Sequence, residues 1–225
     1  MIKAIVFDFD GLIIDTETPA YEAFREVFHT YGVELSLDTY AQCIGTTFAV
    51  FNPFNYLTER LGREIGIEAV KLQVEERHQQ LLEQATLRPG VLDYLNFAQE
   101  NGLRIGLATS SPLSWINPYF DRFDLRPYFN SITTADEVAN VKPDPELYLK
   151  SLAKLDVAGS EAIAFEDSLN GLLAAKAAGL HCTIVPNPST QHFPFRHHDL
   201  MLGSMDEMPL ADVIRRIEAG EAFQA

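Results

Sequence analysis

Six short apolar runs, separated by segments with helical patterning, constrain the fold of this chain more than any other feature. The run at residues 2–7 combines β-branched and aromatic residues without polar–apolar alternation, which is typical of a strand buried on both faces of a parallel sheet. Similar runs follow at residues 103–108, 131–134, 162–165, 182–185 and 200–202. Start and stop signals frame two of the intervening helices, from Pro89 to Gly102 and from Ser168 to Gly179. This alternation predicts an α/β fold with a parallel sheet.

One long segment interrupts the alternation. Between the first strand and Pro89 no strand-like run occurs, and apolar residues recur at helical spacing behind Thr18 and Pro19. At about 150 residues per domain, the 225 residues of the chain correspond to one domain with an inserted half domain. We therefore expect residues 17–87 to form a helical domain inserted after the first strand, and residues 1–16 and 88–225 to form the core.

The charge balance narrows the range of partners. The chain has 17 Lys and Arg against 32 Asp and Glu, a net charge of -15, so its surface repels nucleic acids and anionic membranes. A phosphorylated substrate would therefore need a local cation or a bound metal.

Asp8 and Asp10 interrupt the N-terminal apolar run, and no apolar stretch reaches the roughly 18 residues of a membrane span. Because Cys43 and Cys182 lie far apart in the sequence, we expect buried free thiols and a cytoplasmic protein.

Two pairs of carboxylates follow predicted strands. Asp8 and Asp10 end the first strand ahead of Gly11, and Glu166 and Asp167 follow the run at 162–165. Because open α/β sheets bind ligands at the carboxyl ends of their strands, four carboxylates would surround one point there. Such a cluster favours a divalent cation with oxygen ligands, in the first place Mg²⁺. Each pair taken alone also fits a solvated turn or a helix cap.

Hydroxyl groups and a lysine accompany the acidic pairs. Thr109, Ser110 and Ser111 follow the strand at 103–108, where hydroxyl and main-chain N–H groups can hold a phosphate oxygen, although such residues also cap helices. Lys142 lies in a proline-stiffened segment ahead of a helix; read alone it would be an exposed lysine, but beside the acidic pairs it supplies the required cation. The helix after Ser110 carries aromatic residues at near-helical spacing, which predicts ordinary core packing for Trp115, Tyr119, Phe120 and Phe123.

Four segments together resemble the signature motifs of a known superfamily. They read DFDGLIIDTE at 8–17, LATSS at 107–111, VKPDPELY at 141–148 and FEDSLNG at 165–171. In order and spacing they are similar to the four motifs of the haloacid dehalogenase superfamily. Within it, the chain resembles the β-phosphoglucomutase-like phosphatases, which carry a helical cap after the first motif. The resemblance covers nearly the whole chain and implies a Rossmann-like catalytic core, with the inserted helical segment as its cap domain.

The resemblance also implies a two-step phosphoryl transfer. Asp8 would attack phosphorus and form an aspartyl phosphate, while Asp10 would protonate the leaving alcohol and then activate water. The phosphoryl oxygens would be held by Thr109, Ser110 and Lys142. The implied cofactor is Mg²⁺, bound by the Asp8 carboxylate, the Asp10 main-chain carbonyl and Asp167, with Glu166 as a direct or water-mediated partner.

Departures from the family pattern bear on reaction and substrate. The mutases of this group carry a cap histidine where this chain has Ala20, and an arginine that is missing from the specificity loop at 44–48. Their absence favours a hydrolase over a mutase. The loop offers Thr46, Thr47 and Phe48 as candidates for substrate selection. Asp10 argues against carbon–halogen chemistry, because the dehalogenases lack this second carboxylate.

The sequence thus predicts a Mg²⁺-dependent phosphatase that hydrolyses a small phosphomonoester, by resemblance a sugar or polyol phosphate, as a monomer or weak homodimer. Two alternatives stay open: a β-phosphoglucomutase-like hexose-phosphate mutase, and a non-catalytic binding protein that keeps the fold. The binding protein is disfavoured because it needs no nucleophile beside a proton donor, whereas the chain retains Asp8, Asp10, Thr109, Lys142 and Asp167.

Overall fold

The computed structural model describes residues 1–40 and 51–220. In chain order the described strands and α-helices are β1 (Ala4–Phe7), α1 (Glu17–Thr30), α2 (Leu37–Tyr40), α3 (Pro53–Leu61), α4 (Ile67–Leu82), α5 (Val91–Glu100), β2 (Arg104–Ala108), α6 (Leu113–Arg122), β3 (Ser131–Thr133), α7 (Glu146–Leu155), β4 (Ala162–Glu166), α8 (Leu169–Ala177), β5 (His181–Ile184), β6 (Leu200–Met201) and α9 (Leu210–Ala219). No described helix is long and apolar enough to cross a membrane.

The strands form one parallel sheet in the order β3-β2-β1-β4-β5-β6. β1 lies inside the sheet, with Phe7 aligned to Leu107 of β2 on one side and to Phe165 of β4 on the other. The strand order reverses between β1 and β4, and open α/β sheets bind ligands at such a switch point. The predicted α/β fold with a Rossmann-like parallel sheet is confirmed.

An aromatic core holds β1 and β4 side by side. Every residue of these two strands is buried, as expected of strands covered on both faces. The rings of Phe7 and Phe165 stack at 5.3 Å, and Tyr94 of α5 meets Phe165 edge to face at 5.2 Å. Burial of each such ring contributes about 1.5–3 kcal/mol. The next strand of the sheet, β5, carries Cys182 as a buried free thiol, whereas Cys43 lies outside the described residues.

The chain divides into two compact units. The first contains the sheet and comprises Met1–Ile14, Leu87–Pro186 and Phe193–Ala225, and the second comprises Asp15–Thr86 and Asn187–His192. The second unit is helical in its described part, where α1 packs against α4. The short segment Asn187–His192 belongs with it, although it lies outside the predicted helical range of 17–87.

Aromatic packing and helix caps organise the second unit. The ring of Phe24 contacts those of Phe28, Tyr40 and Phe54 at centroid distances of 5.3 to 5.7 Å. Helix α1 begins at Glu17, one residue before Thr18, whose N–H donates to the Asp15 side chain at 2.9 Å. Pro19 fits the first turn because N–H groups there have no partner within the helix.

Arg88 joins the loop after β1 to the residues that follow β5 in the first unit. Its guanidinium donates to the carbonyl oxygens of Gly11 at 2.6 Å, Val185 at 2.9 Å and Pro186 at 2.7 Å. Its main-chain N–H donates to the carbonyl of Ile13 at 2.9 Å. Because a guanidinium presents its donors in a rigid fork, these bonds fix the loop that follows β1 and carries Asp10.

Candidate active site

The predicted site residues of the first unit emerge at one edge of its sheet. Asp8 and Asp10 follow β1, Thr109 follows β2, and Glu166 ends β4 with Asp167 after it. The register aligns β1 with both β2 and β4, so the three strands end at the same level. The structure thus brings the two acidic pairs to the same edge, as the sequence predicts.

Lys142 connects the two acidic pairs. Its side chain is 5% exposed, and its ammonium donates to Asp8 Oδ1 at 2.6 Å and to Glu166 Oε1 at 2.5 Å. The same nitrogen lies 5.1 Å from the centre of the Tyr148 ring, within the range of a cation–π contact. Lys142 is therefore a buried cation held between two carboxylates, and not the exposed lysine of the alternative interpretation.

Glu166 is surrounded by donors. Its side chain is fully buried; Oε1 accepts from the Tyr148 hydroxyl at 2.5 Å as well as from Lys142, and Oε2 accepts from the Ser168 hydroxyl at 3.3 Å. Gly171 of α8 faces this carboxylate, because a Cβ at that position would lie 1.8–2.1 Å from it. Ser168, which the sequence predicts as the start of α8, caps that helix by accepting the Gly171 N–H at 3.1 Å.

Burial and charge shift the pKa values in this group. Burial raises the pKa of Asp8, although Lys142 opposes the shift. Burial also raises the pKa of Glu166, to about 7, again against the effect of Lys142. For Lys142 burial alone would lower the pKa, but the Asp8 and Glu166 carboxylates raise it above its ordinary value. Lys142 is thus held as a cation. Its charge only partly offsets the burial of Asp8 and Glu166, so the pKa values of both carboxyl groups stay above their ordinary values.

The donor set fits a hard divalent cation. Carboxylate oxygens of Asp8, Glu166 and Asp167 lie within 4.8 Å of one another, and all three residues are buried. Within residues 1–40 and 51–220, this is the one cluster of at least three acidic, histidine or cysteine side chains with metal-binding spacing. Oxygen ligands suit Mg²⁺, Ca²⁺ or Mn²⁺. The cluster could therefore hold a metal ion. Both Glu166 oxygens already accept bonds from protein donors.

The Asp10 carboxylate has partners of its own. It is half-buried, and its Oδ2 accepts from the Ser111 hydroxyl at 2.6 Å, while its Oδ1 accepts from the Trp115 indole N–H at 2.7 Å. The prediction of ordinary core packing is therefore wrong for Trp115, which is half-buried and directs its polar atom to a site residue. Farther along α6, Phe120 is buried in the core as predicted.

The hydroxyl residues after β2 differ in exposure. Thr109 is buried; its main-chain N–H donates to the Thr133 carbonyl at 3.0 Å, and its Oγ1 accepts the Ser111 N–H at 3.0 Å. Ser110 is exposed at the same edge. The three cap candidates, Thr46, Thr47 and Phe48, lie outside the described residues.

Two residues with direct contacts to the predicted site carry no site role in the sequence interpretation. Trp115 binds Asp10 and Tyr148 binds Glu166, whereas Ser111, which also binds Asp10, is one of the hydroxyl residues that the sequence singles out after the strand at 103–108. Two signals could have found the two aromatic residues. Trp115 lies in the first turns of the helix that follows β2, near the carboxyl edge, and a buried tyrosine hydroxyl such as that of Tyr148 requires a partner.

Comparison with known proteins assigns the family. The family described as "Haloacid dehalogenase-like hydrolase" matches residues 5–185. This chain belongs to the haloacid dehalogenase-like hydrolases. A relative from Bacillus subtilis (strain 168), named "Putative phosphatase YhcW", is 47% identical over 211 residues, which cover 94% of this chain and 96% of the relative. The predicted membership is confirmed.

Other matches agree with a hydrolase of phosphate esters. The "Phosphorylated carbohydrates phosphatase" of Thermotoga maritima is 36% identical over 180 residues, covering 80% of this chain and 82% of that protein. The crystal structure of CbbY from Rhodobacter sphaeroides in complex with phosphate is similar at 33% identity and a TM-score of 0.69, covering 92% of this chain and 96% of that one. This haloacid dehalogenase-like hydrolase is thus an enzyme with phosphatase relatives, as predicted.

Proposed function

We propose that this chain is a Mg²⁺-dependent phosphatase that hydrolyses a small sugar or polyol phosphate through an aspartyl phosphate on Asp8. The observation that carries the proposal is the buried Lys142 ammonium, bonded to both Asp8 and Glu166. In a chain with a net charge of -15, this is the local cation that a phosphate-binding site requires.

The first step transfers the phosphoryl group to Asp8. A carboxylate oxygen of Asp8 attacks phosphorus and the bond from phosphorus to the ester oxygen breaks, while protonated Asp10 gives its proton to that oxygen as the alcohol leaves. The Lys142 ammonium and the Thr109 and Ser110 groups after β2 hold the phosphoryl oxygens. Lys142 is held by Asp8 and Glu166 and Thr109 by its bonds to Thr133 and Ser111, so these two groups can stabilise charge as it develops.

The second step regenerates the enzyme. Asp10, now ionised, takes a proton from a water molecule whose oxygen attacks the phosphorus of the aspartyl phosphate. The bond between Asp8 and phosphorus breaks and inorganic phosphate leaves. Asp10 is protonated again and ready for the next substrate, so one pair of carboxylates serves both steps.

Mg²⁺ fits the oxygen donors of this site. Asp8, Asp167 and the main-chain carbonyl of Asp10 would hold it, and Glu166 would act through water or through Lys142. When bound, the ion neutralises charge on the carboxylates and on the transferring phosphoryl group. Glu166 meanwhile fixes Lys142, as their 2.5 Å contact indicates.

The substrate class rests on similarity. The Thermotoga maritima relative is named for phosphorylated carbohydrates, and the resemblance to β-phosphoglucomutase-like phosphatases points to the same class. We further propose that the helical unit acts as a cap that excludes bulk water and selects the substrate, with Thr46, Thr47 and Phe48 among the selecting residues. Hydrolysis is favoured over mutase activity because Ala20 stands where the mutases carry their cap histidine.

The test is phosphate release from a panel of sugar, polyol and nucleotide monophosphates, with Mg²⁺ and with chelator. We expect Mg²⁺-dependent release from sugar or polyol phosphates, and its loss in Asp8→Asn. Asp121→Asn removes an exposed carboxylate of α6 and is the matched control. Full activity of Asp8→Asn would exclude the covalent mechanism. If wild type released no phosphate from any substrate but interconverted hexose phosphates with a trace of bisphosphate, the protein would be a mutase.

A further inference from the structure

We propose that Trp115 positions Asp10 for proton transfer by holding one of its carboxyl oxygens with the indole N–H. The inference deepens the proposed phosphatase function and depends on it, because it gives Trp115 a role toward Asp10, the general acid of the proposed reaction. Trp115 is a positioning residue in this proposal, since it touches Asp10 rather than the substrate.

The geometry of Asp10 is the starting point. Its Oδ1 lies 2.7 Å from Trp115 Nε1, and its Oδ2 lies 2.6 Å from Ser111 Oγ. Both distances are those of strong hydrogen bonds to a carboxylate. The two oxygens therefore have different neighbours, one a ring N–H and the other a hydroxyl.

These two neighbours differ in what they can do. An indole N–H only donates, whereas a hydroxyl can donate or accept. Oδ1 accepts from Trp115, whose indole N–H has one fixed direction, so this bond fixes the orientation of the carboxyl group. The Ser111 hydroxyl can rotate between donor and acceptor, so it constrains Oδ2 less. Trp115 thereby sets the direction from which Asp10 gives a proton to the leaving alcohol and later takes one from water.

The Trp115 ring is held by its neighbours. It meets Tyr119 edge to face with 5.9 Å between ring centroids, and Tyr119 in turn lies 5.7 Å from the fully buried Phe9. Phe9 is the residue between Asp8 and Asp10. A packed aromatic chain thus links the indole to the backbone that carries both carboxylates, so the N–H has a defined direction.

The deciding experiment compares two classes of substrate. Loss of an alkyl alcohol needs a proton from Asp10, whereas p-nitrophenolate is a stable anion that leaves without one. kcat/KM covers the steps up to loss of the leaving group and is independent of the later attack by water. In Trp115→Phe, we expect kcat/KM for the best alkyl phosphate to fall about 10- to 100-fold more than kcat/KM for p-nitrophenyl phosphate, the range for losing one hydrogen bond to a charged group.

Two further variants separate positioning from packing. In an Asp10→Asn background, Trp115→Phe should cause no additional loss with the alkyl substrate, because effects that act through one group are not additive. Because the chain has a single tryptophan, growth on β-(3-benzothienyl)alanine replaces only Trp115 and keeps the bicyclic ring without its N–H. This protein should reproduce the selective loss of Trp115→Phe. Equal losses with both substrates, or additive losses in the double variant, would refute the proposal.

A readout without substrate completes the test. The single indole gives one side-chain peak in a ¹H–¹⁵N correlation spectrum of the full chain, and Asp10→Ala should shift it upfield while the spectrum stays dispersed. An unshifted peak would overturn the contact. Failure of the proposed function would look different, since wild type would then release phosphate from neither substrate class.

Discussion

Replacing Lys142 by methionine should destabilise the sheet-containing unit strongly. Methionine keeps most of the side-chain volume but removes the ammonium that lies 2.6 Å from Asp8 and 2.5 Å from Glu166. Both carboxylates stay buried, at 10% and 0% side-chain exposure. The substitution therefore leaves two buried negative groups without their shared cation.

The size of the effect follows from these distances. With an effective dielectric constant of about 20, each contact is worth roughly 6 kcal/mol of Coulomb energy. Several kcal/mol of this are offset by the cost of removing the ammonium from water, and removal of one partner from a buried pair costs about 3–5 kcal/mol in all. We expect a loss of about 3–5 kcal/mol at pH 8 in chelator.

The unfolding free energy lost in Lys142→Met should be smaller at acidic pH. Without Lys142 the pKa values of Asp8 and Glu166 rise further above their unfolded values. The penalty for ionising them in the folded state appears as the pH rises, and it fades towards pH 5 because the pair can then be protonated. Asp167 lies in the same cluster and adds to the repulsion. The difference in unfolding free energy between wild type and Lys142→Met is therefore smaller at pH 5 than at pH 8.

Urea unfolding in chelator measures this loss, with the fluorescence of Trp115, the single tryptophan, as the probe of the same unit. Lys71→Met is the matched control, because its ammonium pairs with Glu68 at 2.7 Å on an exposed helix surface and should contribute about 0.3–0.5 kcal/mol. A loss below about 1 kcal/mol, or one that does not change with pH, would refute the charge argument.

Three further predictions concern Glu166 and the residues around it. Tyr148→Phe removes the hydroxyl that donates to buried Glu166 and should cost about 1.5–3 kcal/mol of unfolding free energy. Tyr31→Phe is the control and should cost little, because the Tyr31 hydroxyl donates to Gln73 at the surface. Gly171→Ala places a methyl 1.8–2.1 Å from the Glu166 carboxylate and should cost about 1–3 kcal/mol and lower phosphatase activity, whereas Gly66→Ala, with open space around it, should change neither. Because burial raises the pKa of Glu166 from 4.5 to about 7, its contribution to stability is complete below pH 4.5 and is lost as the pH rises through 7; in chelator, the stability of wild type relative to Glu166→Gln should fall across that window, and a constant difference would contradict this sign.

The strands could be predicted from sequence because central strands of a parallel sheet have no polar face. A strand overlaps each of the six predicted runs, and β1 is shorter than its run only at the amino end, where it begins at Ala4. The start of α8 was also predictable, since Ser168 caps it. Strand order could not be predicted from these runs, because the buried faces of β2 and β4 are alike in composition; long-range packing such as that of Phe7 on Phe165 determines it.

The candidate site was predictable where residues follow strands and less so where they lie on helices. Asp8 and Asp167 directly follow β1 and β4, so topology alone brings them to one edge. Trp115 and Tyr148 reach the site from α6 and α7, and their contacts depend on how these helices rotate against the sheet. An aromatic residue at helical spacing looks the same in sequence whether its polar atom meets solvent, core or, as for Trp115, a carboxylate.

The charges of the site explain why substrate binding should depend on the metal. Three carboxylates, those of Asp8, Glu166 and Asp167, lie close together, and one buried ammonium is bonded to two of them, Asp8 and Glu166. Two negative charges are left unbalanced when all three are ionised, and a phosphate dianion would add two more. A divalent cation neutralises the protein groups, so the site can accept the substrate. Without a metal ion the site can shed negative charge by protonation, and the pKa of Glu166 is already raised, chiefly by burial and further by the Asp8 carboxylate. Inorganic phosphate should therefore bind in Mg²⁺ and not in chelator at pH 8, and calorimetry that showed equal affinity in both would exclude this charge balance.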